Sequence, residues 1–332
     1  MGEGFAVRLG RLLWFGVGAM VGVYLIDKRR RNLATEPRPL RDAKGRALSP
    51  RLVELAGGEC VPVIEAGTGP PVVLIPGLTG DSQVFRHQIA ALATRYRVIA
   101  PNLRSGFDDV DTGFDQFAHD VATVLDACEI GPVCLLGLSF GSAIAIRFAS
   151  LYPDRVWGLI LTNGLARLDL SHVGLNRTLL IPVARWTTRF APASLVRQLA
   201  RVWGRLGVWV FDPSPGNERV IDYELEAPLR FPFSQGNARM ATFRNCDLRP
   251  DLRRIRQAAM VVVGSADAFT PIEWQREIAD LLPNSTYTEI TTGGHLTLIS
   301  HADIFNEVVL DWLDEQQTRR TIASQPVSAE TA

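Results

Sequence analysis

The sequence predicts an α/β protein with one mostly parallel, eight-stranded sheet, flanked by helices and carrying a helical cap after the sixth strand. Short runs of β-branched and aliphatic residues recur along the chain, and amphipathic helical periods separate them. Strands that are apolar throughout are typical of a parallel sheet covered on both faces. The chain has 332 residues, 47% of them hydrophobic, which is enough for one large core with an insertion.

Strands and helices are predicted to alternate along most of the chain. The predicted strands are 52–55, 61–65, 72–75, 98–100, 133–136, 156–161, 260–263 and 286–290. The predicted helices are 83–96, 116–128, 140–151, 272–282 and 303–314. The alternation stops between residues 164 and 246, where the pattern is helical and rich in Arg, Trp and Pro. This interruption predicts the helical cap.

The first 50 residues differ from the rest. Residues 12–26 carry no charge, and Lys28-Arg29-Arg30-Arg31 follows almost at once. This predicts a hydrophobic anchor over residues 1–27 that crosses a membrane once, followed by a basic, proline-containing linker over residues 28–50. The basic cluster disfavours a cleavable signal peptide and favours a cytoplasmic domain after the anchor. An interfacial helix remains an alternative, as does a cleaved or soluble leader on a cytoplasmic protein.

The core is expected in two parts, residues 51–163 and 247–314, with the cap at 164–246 between them. Residues 315–332 are polar and show no period, so a disordered tail is predicted there. Aromatic residues in the cap either hold its helices together or line an apolar pocket; they are Trp186, Trp203, Trp209, Phe211, Phe231 and Phe233. Arginines recur through the cap near helical spacing and indicate a solvated or lipid-headgroup-facing side.

Gly137-Leu138-Ser139-Phe140-Gly141 stands between an apolar run and a stretch of small residues typical of a helix. The pattern predicts a strand, a sharp turn and a helix, with the Ser139 hydroxyl at the apex of the turn. Glycine is needed on both sides because a Cβ there would clash where strand and helix fold back on each other. Ser139 is therefore a candidate nucleophile, and it needs a base to remove its proton.

Two later polar residues follow predicted strands in the same way. Asp267 follows the strand at 260–263, and His295 follows the strand at 286–290. The carboxyl ends of parallel strands share one edge of the sheet, where open α/β sheets bind ligands. We therefore expect Ser139, Asp267 and His295 to converge, with the histidine as base and the aspartate holding its tautomer.

At these motifs the chain resembles the α/β-hydrolase superfamily, over about residues 52–313. The resemblance implies Ser139 as nucleophile, His295 as general base and then acid, and Asp267 as the orienting carboxylate. It also implies an oxyanion hole made by the backbone N–H groups of Phe140 and Leu78. Pro76-Gly77 stands where family members often have His-Gly. Haloalkane dehalogenase and epoxide hydrolase activities are disfavoured, since those relatives carry an aspartate at the position of Ser139.

Other polar residues compete for these roles. Asp247 and Asp251 could supply the carboxylate but are typical of a helix cap. The remaining histidines are expected to be structural, except His172, which could touch substrate from the cap; they are His87, His119, His172 and His301. An acidic cluster, Asp108, Asp109 and Asp111, could bind a cation but is more typical of a solvated loop.

The resemblance implies a serine hydrolase that cleaves an ester, as a carboxylesterase or in the manner of a monoacylglycerol lipase, through an acyl-enzyme. A lactonase and a carbon–carbon bond hydrolase are alternatives on the same three residues, and a non-catalytic ligand-binding protein is a third. No cofactor or metal is predicted. The expected partners are a small apolar ester or acyl compound and, through the N-terminal segment, a membrane. The formal net charge of zero gives no field that favours nucleic acid.

Overall fold

The computed structural model describes residues 39–105, 113–167, 219–220, 223, 239, 241–243, 246–267 and 269–324. An eight-stranded sheet forms its centre. The strands are β1 (Arg51–Glu54), β2 (Cys60–Ala66), β3 (Pro71–Ile75), β4 (Arg97–Pro101), β5 (Val133–Leu138), β6 (Val156–Thr162), β7 (Ala258–Gly264) and β8 (Ser285–Ile290). They lie in the order β1-β2-β4-β3-β5-β6-β7-β8. Pairing is antiparallel from β1 to β2 and from β2 to β4, and parallel elsewhere. The predicted fold class is confirmed.

Helices cover both faces of this sheet. They are α1 (Arg86–Leu92), preceded by a 3-10 turn at Ser82–Phe85, α2 (Gly113–Ala127), α3 (Phe140–Leu151), α4 (Arg249–Leu252), α5 (Ile272–Leu281), α6 (Thr297–Ser300) and α7 (Ala302–Ser324). The five predicted helical segments are all present, and α3 has the predicted bounds. Because each helix buries one apolar stripe, two separate apolar layers form, one on each side of the sheet.

Strand β5 lies in the middle of the sheet and is buried at every residue. It pairs with β3 on one side, where Ile75 lies opposite Gly137, and with β6 on the other, where Leu138 lies opposite Thr162. A strand enclosed by neighbours and by helices on both faces must be apolar throughout, which explains its composition. Ser139, the next residue, therefore leaves the sheet at its centre.

The C-terminal segment is more ordered than predicted. A disordered tail was expected from residue 315, but α7 continues to Ser324. Polar residues extend this helix because Glu315 and Arg319 form an ion pair one turn apart, at 2.7 Å, and the Arg320 guanidinium stacks over the Trp157 ring at 4.8 Å. The prediction of disorder is wrong for residues 315–324. Residues 325–332 lie outside the described part of the chain.

The prediction of a transmembrane helix, and of a membrane location with it, is corrected by the structure. In the part of the chain that the structure describes, no helix combines the length and the apolar character that crossing a bilayer requires. The longest, α7, has 23 residues but carries charged side chains on successive turns, and each would cost free energy in hydrocarbon. The segment predicted as the anchor, residues 1–27, lies outside the described residues.

The predicted cap also lies largely outside the described residues. Of residues 164–246, the structure describes 164–167, 219–220, 223, 239, 241–243 and 246. His172, the acidic cluster at residues 108–111 and the six aromatic residues of the cap lie outside them. Several of the described residues contact the edge of the sheet where β3, β5 and β6 end.

Candidate active site

Ser139 stands on a strained turn between β5 and α3. Its backbone angles, φ 53° and ψ −114°, lie where residues with a Cβ are rarely found. Such a conformation costs about 1–3 kcal/mol and persists only where the surroundings hold it. Here the Ser139 N–H donates to the Thr162 carbonyl of β6 at 2.9 Å, and the buried Ser142 hydroxyl donates to the Gly137 carbonyl at 2.6 Å. The two strands and the helix thus fix the serine hydroxyl.

The glycines around Ser139 are required by the packing of this turn. A Cβ on Gly137 would lie 2.5 Å from the Gly141 carbonyl oxygen, and one on Gly141 would lie 2.1 Å from the carbonyl oxygen of Ile75. No side chain fits at such distances from backbone atoms. The turn is therefore pressed directly against the end of β3.

The structure brings Ser139, His295 and Asp267 together. Nε2 of His295 lies 3.1 Å from Oγ of Ser139, and its Nδ1 lies 2.9 Å from Oδ2 of Asp267. The two loops that carry the imidazole and the carboxylate are joined, because the Ala266 N–H donates to the Gly293 carbonyl at 2.8 Å. Side chains separated by 156 and 28 residues in sequence thus form one hydrogen-bonded line.

The Asp267 carboxylate is buried among donors. Its Oδ1 accepts from the backbone N–H groups of Phe269 and Thr270, at 2.7 and 2.9 Å. Its Oδ2 accepts from the Asn163 amide, the Thr270 hydroxyl and His295. Burial alone would raise the pKa of Asp267, but the neighbouring His295 and the donated hydrogen bonds outweigh it and hold the pKa below its ordinary value. Asp267 is therefore ionised at neutral pH.

An ionised Asp267 selects which nitrogen of a neutral imidazole carries the proton. The carboxylate can only accept, so His295 donates from Nδ1, and its Nε2 carries a lone pair toward the Ser139 hydroxyl. The ring of Phe269 packs against the imidazole, with centroids 4.9 Å apart, and limits its rotation. This arrangement is able to remove a proton from Ser139.

The two residues expected to supply oxyanion amides, Phe140 and Leu78, belong to segments next to the serine. Phe140 is the first residue of α3, so its N–H has no acceptor within the helix. Gly77 lies close to the serine, since a Cβ built on it would lie 3.5 Å from the Cβ of Ser139. Leu78, the next residue, belongs to the loop between β3 and the 3-10 turn. Amides in such positions can stabilise negative charge on an oxygen attached to a carbon attacked by the serine.

Comparison with known proteins identifies the family. Residues 70–302 match the family model described as "alpha/beta hydrolase fold", which covers most of the chain. The chain belongs to the α/β-hydrolase family.

Relatives of this hydrolase differ in their chemistry. The chain is 30% identical over 303 residues to the polyketide synthase ThaQ of Burkholderia thailandensis; the match covers 82% of this chain and 13% of that much longer protein. It is 29% identical to RutD of Azorhizobium caulinodans, a protein named for carbamate hydrolase activity, over 75% of this chain and 93% of the relative. Other relatives are named as a haloalkane dehalogenase, in Mesorhizobium japonicum, and as a 2-hydroxy-6-oxo-6-phenylhexa-2,4-dienoate hydrolase, in Burkholderia cepacia.

Solved structures show the same fold. The esterase RhEst1 of Rhodococcus sp. ECU1013 superposes with a TM-score of 0.66 at 21% identity, over 80% of this chain and 98% of the esterase. Hydrolase activity is thus supported by the family and its members, while the bond that is cleaved differs among them.

The competing candidates lie elsewhere in the hydrolase. Asp251 accepts from Arg147 and Ser150 on α3, and Asp247 binds Arg249. His119 bonds to the Tyr152 hydroxyl. His87 lies in α1, and the His301 ring bonds to Thr292 and Ser300. Among the described residues, no group of three or more His, Cys, Asp or Glu side chains is suited to hold a metal ion.

Two residues that bond to Asp267 are not predicted by the sequence. Asn163 and Thr270 both donate to Asp267, and the Thr270 hydroxyl also lies 3.5 Å from Nδ1 of His295. Asn163 has φ 49°, a left-handed conformation that asparagine tolerates better than most residues. Asn163 could have been identified from its position directly after β6, because that strand ends at the same edge of the sheet as β5. Nothing in the sequence singles out Thr270.

Proposed function

We propose that this protein is a serine hydrolase that cleaves a carboxylic ester through an acyl-enzyme intermediate. The observation that carries the proposal is the continuous hydrogen-bonded line from Oγ of Ser139 through His295 to Asp267. A serine hydroxyl held against the lone pair of an imidazole, itself oriented by an ionised carboxylate, is equipped for nucleophilic attack on a carbonyl.

In the first half of the reaction, Oγ of Ser139 attacks the ester carbonyl carbon while Nε2 of His295 takes the hydroxyl proton. The resulting imidazolium is stabilised by the Asp267 carboxylate on its other nitrogen. The carbonyl oxygen gains negative charge and accepts hydrogen bonds from the backbone N–H groups of Phe140 and Leu78. His295 then returns the proton to the leaving alcohol, which leaves the acyl group on Ser139.

In the second half, water takes the place of the alcohol. His295 removes a proton from the water, the hydroxide attacks the acyl carbon, and the same two amides hold the oxyanion. Collapse of this intermediate releases the carboxylic acid and returns the proton to Ser139. This sequence uses the protein's own groups throughout.

Esters are the proposed substrates, and carbamates are a second candidate. The match to RutD extends over 93% of that protein, and a carbamate presents the same kind of carbonyl to a serine nucleophile. Lactones and carbon–carbon bonds next to a carbonyl fit the same three side chains, so these alternatives from the sequence remain. The small-molecule substrate itself is expected to be an apolar acyl compound.

A fluorophosphonate probe tests the mechanism. We expect it to label the full-length protein, and Ser139→Ala to abolish labelling. The matched control is Ser150→Ala, because Ser150 lies on the same helix but bonds to Asp251, away from the site. That variant should label like the wild type. An unlabelled wild type would favour the non-catalytic, ligand-binding alternative.

A substrate panel tests the bond that is cleaved. It comprises p-nitrophenyl esters from acetate to palmitate, a monoacylglycerol, a lactone, an aryl carbamate and a diketo acid. We expect the highest kcat/KM on an ester and a loss of roughly 10⁶-fold in Ser139→Ala. A probe-reactive protein that prefers the carbamate or the lactone would contradict the ester assignment and leave the mechanism intact.

A further inference from the structure

The backbone turn at residues 77–80 carries the Leu78 amide. The Gly80 N–H donates to the Gly77 carbonyl at 2.9 Å and closes the turn, and the Gly80 carbonyl accepts from the Leu103 N–H at 2.9 Å. Leu78 and Thr79 occupy the centre of the turn. The Leu78 N–H belongs to the peptide unit of the Gly77 carbonyl, which the Gly80 N–H holds, whereas the Leu78 carbonyl belongs to the next unit, at the centre of the turn. Rotation of that central unit would change the backbone at Leu78 and displace its amide, so the direction of the Leu78 N–H depends on both units being held.

Arg239 reaches this turn from the chain between β6 and α4. Its guanidinium is fully buried and donates only to main-chain carbonyls among the described residues. Nη1 donates to the Leu78 carbonyl at 2.8 Å, and Nη2 donates to the carbonyl of Arg104 at 2.6 Å and that of Leu103 at 3.4 Å. Burial lowers the pKa of Arg239 to about 10, so the side chain remains charged at neutral pH.

The turn is shaped around this guanidinium. Gly80 has φ +71°, and a Cβ on it would lie 2.6 Å from Nη1 of Arg239. Only glycine satisfies both the backbone angle and the close approach of the arginine. The planar guanidinium therefore lies directly against the backbone of the turn and joins it to the loop after β4.

The same stretch of chain contacts both residues whose amides form the proposed oxyanion hole. The Tyr223 hydroxyl lies 3.3 Å from the Thr79 hydroxyl of the turn. The Phe243 ring packs edge-on against the Phe140 ring, with centroids 5.6 Å apart. Residues between β6 and α4 thus contact both the turn that carries Leu78 and the side chain of Phe140.

We propose that Arg239 is a positioning residue for the oxyanion hole: by holding the Leu78 carbonyl, its guanidinium fixes the turn that presents the Leu78 amide to the substrate. This inference rests on the proposed serine-hydrolase function. Arg239 acts through the backbone and does not touch the reacting atoms. Its removal should weaken stabilisation of the oxyanion and leave ground-state binding of the substrate intact.

Arg239→Met in the full chain tests the proposal with a p-nitrophenyl ester. We expect kcat to fall roughly 10- to 100-fold and KM to stay within about twofold of the wild type. This fall in kcat should not exceed the fall caused by removing an oxyanion donor outright. The inhibition constant of a trifluoromethyl ketone, which forms a tetrahedral adduct, should rise by about the factor by which kcat/KM falls. Arg239→Lys should recover part of kcat, because an ammonium reaches one carbonyl but cannot bridge two loops.

The matched control is Arg155→Met. Arg155 also donates to a main-chain carbonyl, that of Ile130 at 3.2 Å, but at the opposite edge of the sheet. Its loss should leave kcat unchanged. Far-UV circular dichroism and a thermal melt verify that each variant folds.

A second variant keeps the test decisive if Arg239→Met does not fold. Gly80→Ala displaces the guanidinium without removing it, and we expect the same fall in kcat at constant KM. In the double variant Arg239→Met, Gly80→Ala the two losses should not add, since both act through one contact.

The outcomes separate this inference from the function on which it rests. A folded Arg239→Met that keeps kcat within about twofold, or raises KM alone, overturns the positioning role while the wild type still reacts with a fluorophosphonate. Additive losses in the double variant overturn it as well. A wild type that neither reacts with the probe nor turns over any ester overturns the proposed function, and the positioning role with it.

Discussion

Asn163 donates a hydrogen bond from its side-chain amide to Oδ2 of Asp267 over 2.7 Å. The same oxygen accepts a hydrogen bond from Nδ1 of His295, so the asparagine and the imidazole share one acceptor atom. Because Asn163 directly follows β6, it ties the carboxylate to the strand that also accepts the Ser139 N–H. The orientation of the imidazole is thereby linked to the position of the hydroxyl.

Replacing Asn163 should slow the reaction without weakening substrate binding. We expect Asn163→Gly to lower kcat roughly 10-fold at constant KM, because Asp267 loses one donor and keeps its bonds to Thr270. Asn163→Ala removes the same donor and adds strain at a positive φ. It should therefore match Asn163→Gly in kcat but unfold at lower urea concentration. Steady-state kinetics and urea unfolding provide both readouts. An unchanged kcat in both variants would contradict the role of this bond.

A side chain at Gly141 should destabilise the fold. Its Cβ would meet the Ile75 carbonyl oxygen at 2.1 Å, so Gly141→Ala should cost about 3 kcal/mol of unfolding free energy, or prevent folding. Gly131→Ala is the control, because a Cβ there meets nothing within 4 Å. It should shift the unfolding free energy by about 0.5 kcal/mol or less. Equal effects of the two changes, measured by urea unfolding, would show that the contact with β3 is not tight.

The lowered pKa of Asp267 predicts a pH-dependent contribution to stability. A carboxyl that is more acidic when folded stabilises the protein above its unfolded pKa, near 3.8, and this stabilisation is lost as the pH falls through the folded value. The wild type should therefore lose stability relative to Asp267→Asn only below about pH 4. Urea unfolding of both proteins between neutral and acidic pH measures this difference. A constant difference across that range would refute the prediction.

The buried ion pair of Arg104 and Asp120 should behave as a unit. The guanidinium donates two hydrogen bonds to the carboxylate, at 2.6 and 2.7 Å, and both side chains are nearly inaccessible to solvent. Arg104→Met removes the guanidinium from a buried carboxylate and should lower the free energy of unfolding by about 3 kcal/mol. The double variant Arg104→Met, Asp120→Leu should cost less than this single change, because neither charge then remains.

The exposed pair of Arg319 and Glu315 provides the comparison for this experiment. Its side chains are more than half exposed, so Arg319→Met should change the unfolding free energy by about 0.5 kcal/mol or less. The single variants of the buried pair are Arg104→Met and Asp120→Leu. If the double variant lost as much unfolding free energy as these two lose together, the two charges would be acting independently.

Much of the fold follows from local patterns in the chain. The central strands are short apolar runs, because a strand buried on both faces must be apolar throughout, as β5 is. The outer strands β1 and β8 are more polar and more exposed. Ser139, Asp267 and His295 could be identified together because each follows a predicted strand, and parallel strands end at a common edge. Their roles in catalysis remain a prediction.

What could not be predicted depends on contacts between distant parts of the chain. Arg239 is one of many arginines in its region, and only its burial against the turn at residues 77–80 distinguishes it. Residues 315–324 lack an apolar period, yet they continue α7 because ion pairing and stacking on Trp157 stabilise a solvated helix. Hydrophobic periodicity does not report such interactions.

The two amides proposed for the oxyanion hole are supported by different parts of the molecule. The hydrogen bond from the Ser139 N–H to Thr162 makes the Phe140 amide depend on the pairing of β5 with β6, whereas the contacts of Arg239 and Tyr223 make the Leu78 turn depend on the intervening chain. On the positioning role proposed for Arg239, exchanging that chain for the corresponding stretch of a relative should preserve the Phe140 donor and misalign the Leu78 donor. Chimaeras built to alter selectivity would need to retain both anchoring side chains to stay efficient.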